Sequence, residues 1–255
     1  MVLFIYICAF LVIGWIVFML FRKKAPFTQP GLEVEQNLLL QHVVFYQELN
    51  AAEKKRFEAS IRLFLQKVRV TGVNTEIDDM DAVLVAASAV IPIFAFKDWS
   101  YTNIHEVLIY PGSFDGDFHL QGNGRNTLGM VGNGPMQHVM ILSRQDLRNG
   151  FLNTTGKSNT GIHEFVHLVD KSDGDTDGLP EVLLQHQYAI PWMKRMHQEI
   201  GKMKSGKSDI NPYATTNDAE FLAVTAEYFF KQPQLMEEKH PELFALLQQV
   251  FTPAP

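Results

Sequence analysis

The first twenty-one residues, MVLFIYICAFLVIGWIVFMLF, carry no charged side chain, and only Gly14 interrupts the apolar run. As a helix, a run of that length spans roughly 30 Å, the hydrocarbon thickness of a bilayer. A buried core helix is the competing reading, but core helices rarely stay apolar all round for so long. A signal peptide needs a basic leader, a shorter apolar stretch and a small-residue cleavage site, and this segment has none of them. Arg22, Lys23 and Lys24 follow at once, with no cation before the run. By the positive-inside rule the carboxyl side then faces the cytoplasm. Residues 1–21 are therefore expected to form a single-pass membrane anchor seated in the lipid bilayer. Residues 22–31, ending APFTQPG, form a linker, and residues 32–255 form one domain at the cytoplasmic face.

The overall hydrophobic content of 46% blends that anchor with a more polar domain. All 22 basic and 28 acidic side chains lie after the run, for a net charge of −6. Such a balance lacks the basic face that sequence-independent nucleic-acid binding requires, so no direct nucleic-acid partner is expected. The single cysteine, Cys8, falls inside the apolar run. A disulfide framework and a cysteine-rich zinc module are both excluded.

Apolar periodicity predicts helices over Leu32–Leu49 and Ala51–Val68, with Asn50 and Glu53 as a capping box between them. The β-branched stretch Arg69–Ile77 suits a strand. Asp78 or Asp79 can cap a third helix reaching toward Phe96, with Pro92 as a kink or stop. From Asp98 to Pro135 glycine and asparagine are frequent and helical periodicity is lost, while Val107–Tyr110 and Val139–Leu142 read as short strands. Helices return at Thr160–Lys171, from Pro180 to about Lys204, at Asn217–Lys231 and after Pro241. Helices around a small mixed sheet make an α+β domain.

The chemistry is concentrated in His163-Glu164-Phe165-Val166-His167, an HExxH sequence. On a helix the two histidines stand one turn apart on one face and can reach a single metal ion. Neutral imidazole suits zinc, and the intervening glutamate is placed to take a proton from an attacking water. The helix around them is nearly all apolar, so these polar groups need partners once buried. A pair of core histidines satisfied by neighbours is the alternative. Catalytic zinc usually takes a third protein ligand. The metzincin pattern fails, because Asp170 and Asp173 stand where its glycine and third histidine would be, although Asp173 could ligate. His186 and His197 have the wrong spacing and suit a solvated surface. Glu220, at the start of DAEFLAVTAEYFF, is the better candidate, although Asn217-x-x-Glu220 is also a capping box; Glu227 is the fallback. Asp170 is the nearest acid in sequence that could orient a ligand histidine. Asp173-Gly174-Asp175-Thr176-Asp177-Gly178 imitates half an EF-hand loop, but Leu184 replaces the bidentate glutamate, so a solvated acidic turn is expected.

HEFVHLVDKSDGDTDGLPE, followed by INPYATTNDAEFLAVTAEYFF, resembles the Mlc titration factor A (MtfA) family of zinc-dependent peptidases. DWSYTNIHEVLIYPGSF and PMQHVMILSRQDLRNG resemble its upstream blocks, so the likeness runs in order from about Leu32 to the carboxyl end. The resemblance implies a zincin-like metallopeptidase domain, one zinc ion per chain, and a peptide substrate. It implies His163, His167 and Glu220 as zinc ligands and Glu164 as general base. Tyr213, which would otherwise be an ordinary loop tyrosine, is implied as a donor to the oxyanion. It favours aminopeptidase-like activity on short peptides. It also implies an alternative in another class, a membrane-side module that sequesters a transcriptional repressor, with catalysis secondary. Two features depart from the family: the added membrane span, and Val224 where a thermolysin-like pattern would place an aspartate. Val139–Ser143 is expected either as an edge strand open to substrate or as an interior strand with no such role.

Overall fold

The computed structural model describes residues 32–115, 127–132, 137–181, 183 and 188–252. The expected anchor and linker, with His186 and Leu184, lie outside these residues. Among the described residues no helix is long and apolar enough to cross a membrane. The domain is mainly helical around a four-stranded mixed sheet.

The expected first helix is two, α1 (Leu32–His42) and α2 (Val44–Glu48), broken where Val43 takes an extended conformation. Asn50 accepts from the amides of Ala52 and Glu53, and Glu53 returns a carboxylate to the Asn50 amide, so the capping box opens α3 (Ala51–Lys67). Strand β1 is shorter than the β-branched run suggested, Arg69–Gly72. Helix α4 (Asp79–Ile93) starts at a second reciprocal box made by Asp78 and Asp81, and Pro92 lies in its last turn. Every residue from Asp81 to Pro92 is buried, which makes α4 the central helix.

Strands β2 (Glu106–Tyr110), β3 (Gly129–Val131) and β4 (Val139–Ser143) complete a sheet of order β1-β2-β4-β3. The pairs β1–β2 and β2–β4 are parallel, and β3 lies antiparallel on β4. Val139–Ser143 is therefore an interior strand, and the edge-strand expectation is corrected. Met140, Ile141 and Leu142 are buried on both faces, the continuous apolar run of an interior strand. The two edges of the sheet are β1 and β3, and β3, the edge beside β4, has no helical or strand periodicity long enough to read.

Ser143 ends the sheet and caps α5 (Arg144–Leu152), accepting from the Asp146 amide. Then follow α6 (Thr160–Asp170), α7 (Ala189–Lys204), α8 (Asp218–Lys231), α9 (Pro233–Lys239) and α10 (Pro241–Phe251). The helix expected from Pro180 begins instead at Ala189, because Pro180, Glu181 and Leu183 form turns. Helix α6 lies between α4 and α8. A β-carbon at Gly161 would stand 2.1 Å from Ser88 Oγ, so α6 and α4 touch at a spot that only glycine permits.

Candidate metal centre

Asn159 caps α6 by accepting from the Ile162 amide, which fixes the helix that carries HExxH. The Nε2 atoms of His163 and His167 converge to 3.1 Å. Helix α8 crosses this face, and Asn217 caps it by accepting from the Glu220 amide. The Glu220 carboxylate does not return to the cap. It turns inward, with Oε2 at 3.0 Å from His163 Nε2 and 3.5 Å from His167 Nε2. One ligand atom from each of His163, His167 and Glu220 lies within 4.8 Å of the others.

Glu227, the fallback ligand, takes a different place. Its Oε1 lies 2.7 Å from His163 Nδ1, on the far side of the ring, and its other oxygen accepts from the Asn159 amide. A carboxylate on Nδ1 fixes the ring and leaves Nε2 directed at the cluster. Asp170 does not orient either histidine: its Oδ2 accepts from the Gly178 amide, and its Oδ1 has no partner. Burial pushes the Asp170 carboxyl up to about 6. Asp173 is spent on the amides of Asp175 and Glu181, so it too stays out of the cluster. Asp177 likewise accepts from its own loop, at the Leu179 amide, as a solvated acidic turn does. His197 is exposed, 3.7 Å from Asp218.

The donor set fits a divalent cation such as zinc on two observations. Glu220 Oε2 is buried and near both imidazoles, yet it is in hydrogen-bond alignment with neither. Three carboxylates, Glu164, Glu220 and Glu227, crowd two imidazoles in a buried site, an arrangement that favours positive charge at its centre. Burial alone would lower the His163 pKa, but Glu220 and Glu227 outweigh it and raise it. Burial alone would raise Glu220, and the two histidines hold it well below the usual carboxylate range instead. Two nitrogens and a carboxylate oxygen match a catalytic zinc site with an open position.

Glu164 is only 6% exposed, and burial raises its carboxyl against the opposing charges of His163 and His167. Tyr213 sits on a single turn, Pro212–Thr215, and its hydroxyl donates to Glu220 Oε1 at 3.4 Å. Two cavities flank these groups. One of about 730 Å³ opens past Met130, Val131 and Asp218, and another of about 410 Å³ past Thr127, Ser158 and Asn211. Gly129, His163, Glu164 and Tyr213 border both. Gly129 and the orienting role of Glu227 are the contributions that sequence reasoning missed.

The chain is 25% identical over 241 residues to an uncharacterized protein of Synechocystis sp., covering 90% of this chain and 87% of that one. It is 29% identical over 211 residues to Mlc titration factor A of Escherichia fergusonii, covering 77% of each. The protein of the same name from Salmonella arizonae is 29% identical over 224 residues, covering 81% of this chain and 86% of the relative. The model of the glucose-regulated metallo-peptidase M90 family matches residues 20–252, and the chain belongs to that family of metallopeptidases, the Mlc titration factor A family.

Proposed function

We propose that this chain is a zinc-dependent peptidase acting on extended peptides. The observation that carries the reading is the convergence of His163, His167 and Glu220 within 4.8 Å, beside a buried Glu164 that is not part of their cluster. Those three residues would hold the metal. When bound, zinc supplies Lewis acidity, which eases deprotonation of water near neutral pH and polarises a carbonyl. Glu164 takes the proton of the attacking water as its oxygen bonds to the carbonyl carbon, and delivers that proton to the amine as the C–N bond breaks. The Tyr213 hydroxyl turns from Glu220 to donate to the developing oxyanion.

Strand β3 supports an extended substrate. Leu128 O accepts from Ser143 and the Gly132 amide donates to Val139, so alternation turns the backbone groups of Gly129 and Val131 away from β4. A peptide added there as a further strand runs past Glu164. Family resemblance favours aminopeptidase-like cleavage of short peptides. The apolar run 1–21 and the basic residues 22–24 support a domain tethered at the cytoplasmic face of a membrane. A reporter fused after Lys24 should be active in the cytoplasm, and activity only outside it would overturn that orientation.

One observation favours a second reading. Several relatives are named for titration of Mlc. In that reading this chain sequesters a repressor protein, and cleavage is secondary. The full chain in detergent should hold about one zinc, and Glu164→Gln should keep it while peptide cleavage falls by at least about 10²-fold. Equal cleavage by parent and variant would sink the mechanism. A metal-free protein that captures a repressor and cleaves nothing would favour the second reading.

A further inference from the structure

Gly129 does not take the left-handed backbone that usually demands glycine; among the described glycines only Gly174, Gly178 and Gly206 do so. It lies in strand β3, followed by Met130 and Val131, where a glycine weakens the strand. Its place is explained by what lies beneath it. A β-carbon at position 129 would stand 2.6 Å from both Cγ and Oε1 of Glu164 and 2.8 Å from Cδ. Real β-carbons essentially never approach below 3.0 Å, and ordinary contact begins near 3.4 Å. The clash falls on the middle of the Glu164 side chain as well as its tip. The helix cannot retreat, since Phe165 and Val166 beside Glu164 are fully buried, so the side chain itself must swing toward the cavities it borders.

We infer that Gly129 is a positioning residue for Glu164: the hydrogen in place of a side chain lets the edge strand lie against the carboxylate and fixes where it stands. The inference rests on reading Glu164 as the general base, and adds that the strand offered to substrate also aims the base. A single methyl group at Gly129 would displace the carboxylate by roughly 1 Å, and a misplacement of that size costs about 10²-fold in rate.

Gly129→Ala, Glu164→Ala and the double variant, all in the full chain, test this through turnover, zinc content and Tm. Gly129→Ala should keep about one zinc per chain and a KM within about 3-fold of the parent, while kcat falls about 10²-fold. Its Tm should fall by roughly 2–10 °C from overpacking, and the same substitution in the Glu164→Ala background should leave Tm unchanged, because the clashing group is gone. If Gly129→Ala alone does not fold, a double variant with the Tm of Glu164→Ala upholds the contact. A kcat within about 3-fold of the parent overturns the inference, as does an equal loss of Tm in both backgrounds. A parent that cleaves no peptide would sink the peptidase reading instead, and the Tm comparison would still report on the contact.

Discussion

Glu220 and Glu227 stand seven residues apart on one side of α8, and their carboxylates meet opposite nitrogens of the same ring, His163. Removing either should therefore do different things. Glu220→Ala should abolish stoichiometric zinc, and undiminished metal in that variant would mean that the third ligand lies elsewhere. Glu227→Gln keeps an oxygen for His163 Nδ1 but sets an amide donor against the Asn159 amide, which now donates to Glu227. Zinc affinity should fall about 10–100-fold, read by competition with a chelator. An affinity equal to the parent would show that the Glu227 contact does not hold the ring. The histidine pair was legible in the sequence because helical spacing alone puts residues four apart on one face. The division of labour between the two glutamates was not, because both share a face and Asn217-x-x-Glu220 also reads as a capping box. Only the crossing of α8 over α6 separates ligand from orienting group.

Asp81 is wholly buried at the start of α4 and accepts from Arg144 Nε at 2.9 Å and Arg148 Nε at 2.7 Å. The same two arginines reach Asp78, so α5 is bolted to the amino end of the central helix. Removing one partner of a buried ion pair leaves the other uncompensated and costs about 3–5 kcal/mol. Here the arginines keep 27% of their side-chain surface in solvent and retain Asp78, so Asp81→Asn should cost nearer ~2–3 kcal/mol. That corresponds to a fall in Tm of roughly 4–12 °C, measurable by calorimetry. No change in Tm would mean that packing alone joins the two helices. Helices α3, α4, α6 and α8 were legible because their caps and apolar spacing agree. Helix α5 is short and polar, and β3 has three residues, so neither carries a pattern that survives outside its tertiary setting. The edge strand that borders both cavities is for that reason invisible until β4 is found beside it.

Distant parts of the chain are tied at Asp209. Its carboxylate accepts from Lys157 at 2.6 Å and Lys239 at 2.8 Å, lies 2.6 Å from His240 Nε2, and takes the Tyr228 hydroxyl at 3.2 Å. These partners come from the segment before α6, from α8, and from the α9–α10 junction. The metal-centre helices and the carboxyl-terminal helices are thus held by one acid. Burial alone would raise its pKa, but Lys157, Lys239 and His240 outweigh burial and hold it well below the usual carboxylate range. The folded state therefore keeps Asp209 ionised after an unfolded chain would have protonated it. The stability it adds is fully present above the unfolded carboxylate value, near pH 4, and is lost as pH falls through the lower folded value. With 28% of the side chain exposed, solvent screening limits the contribution to roughly 1–2 kcal/mol. Asp209→Asn should lower Tm at pH 7, and the gap between variant and parent should narrow steadily below about pH 4. A gap that stays constant from pH 7 to pH 2 would show that hydrogen-bond geometry, and not the charge of Asp209, joins the two halves.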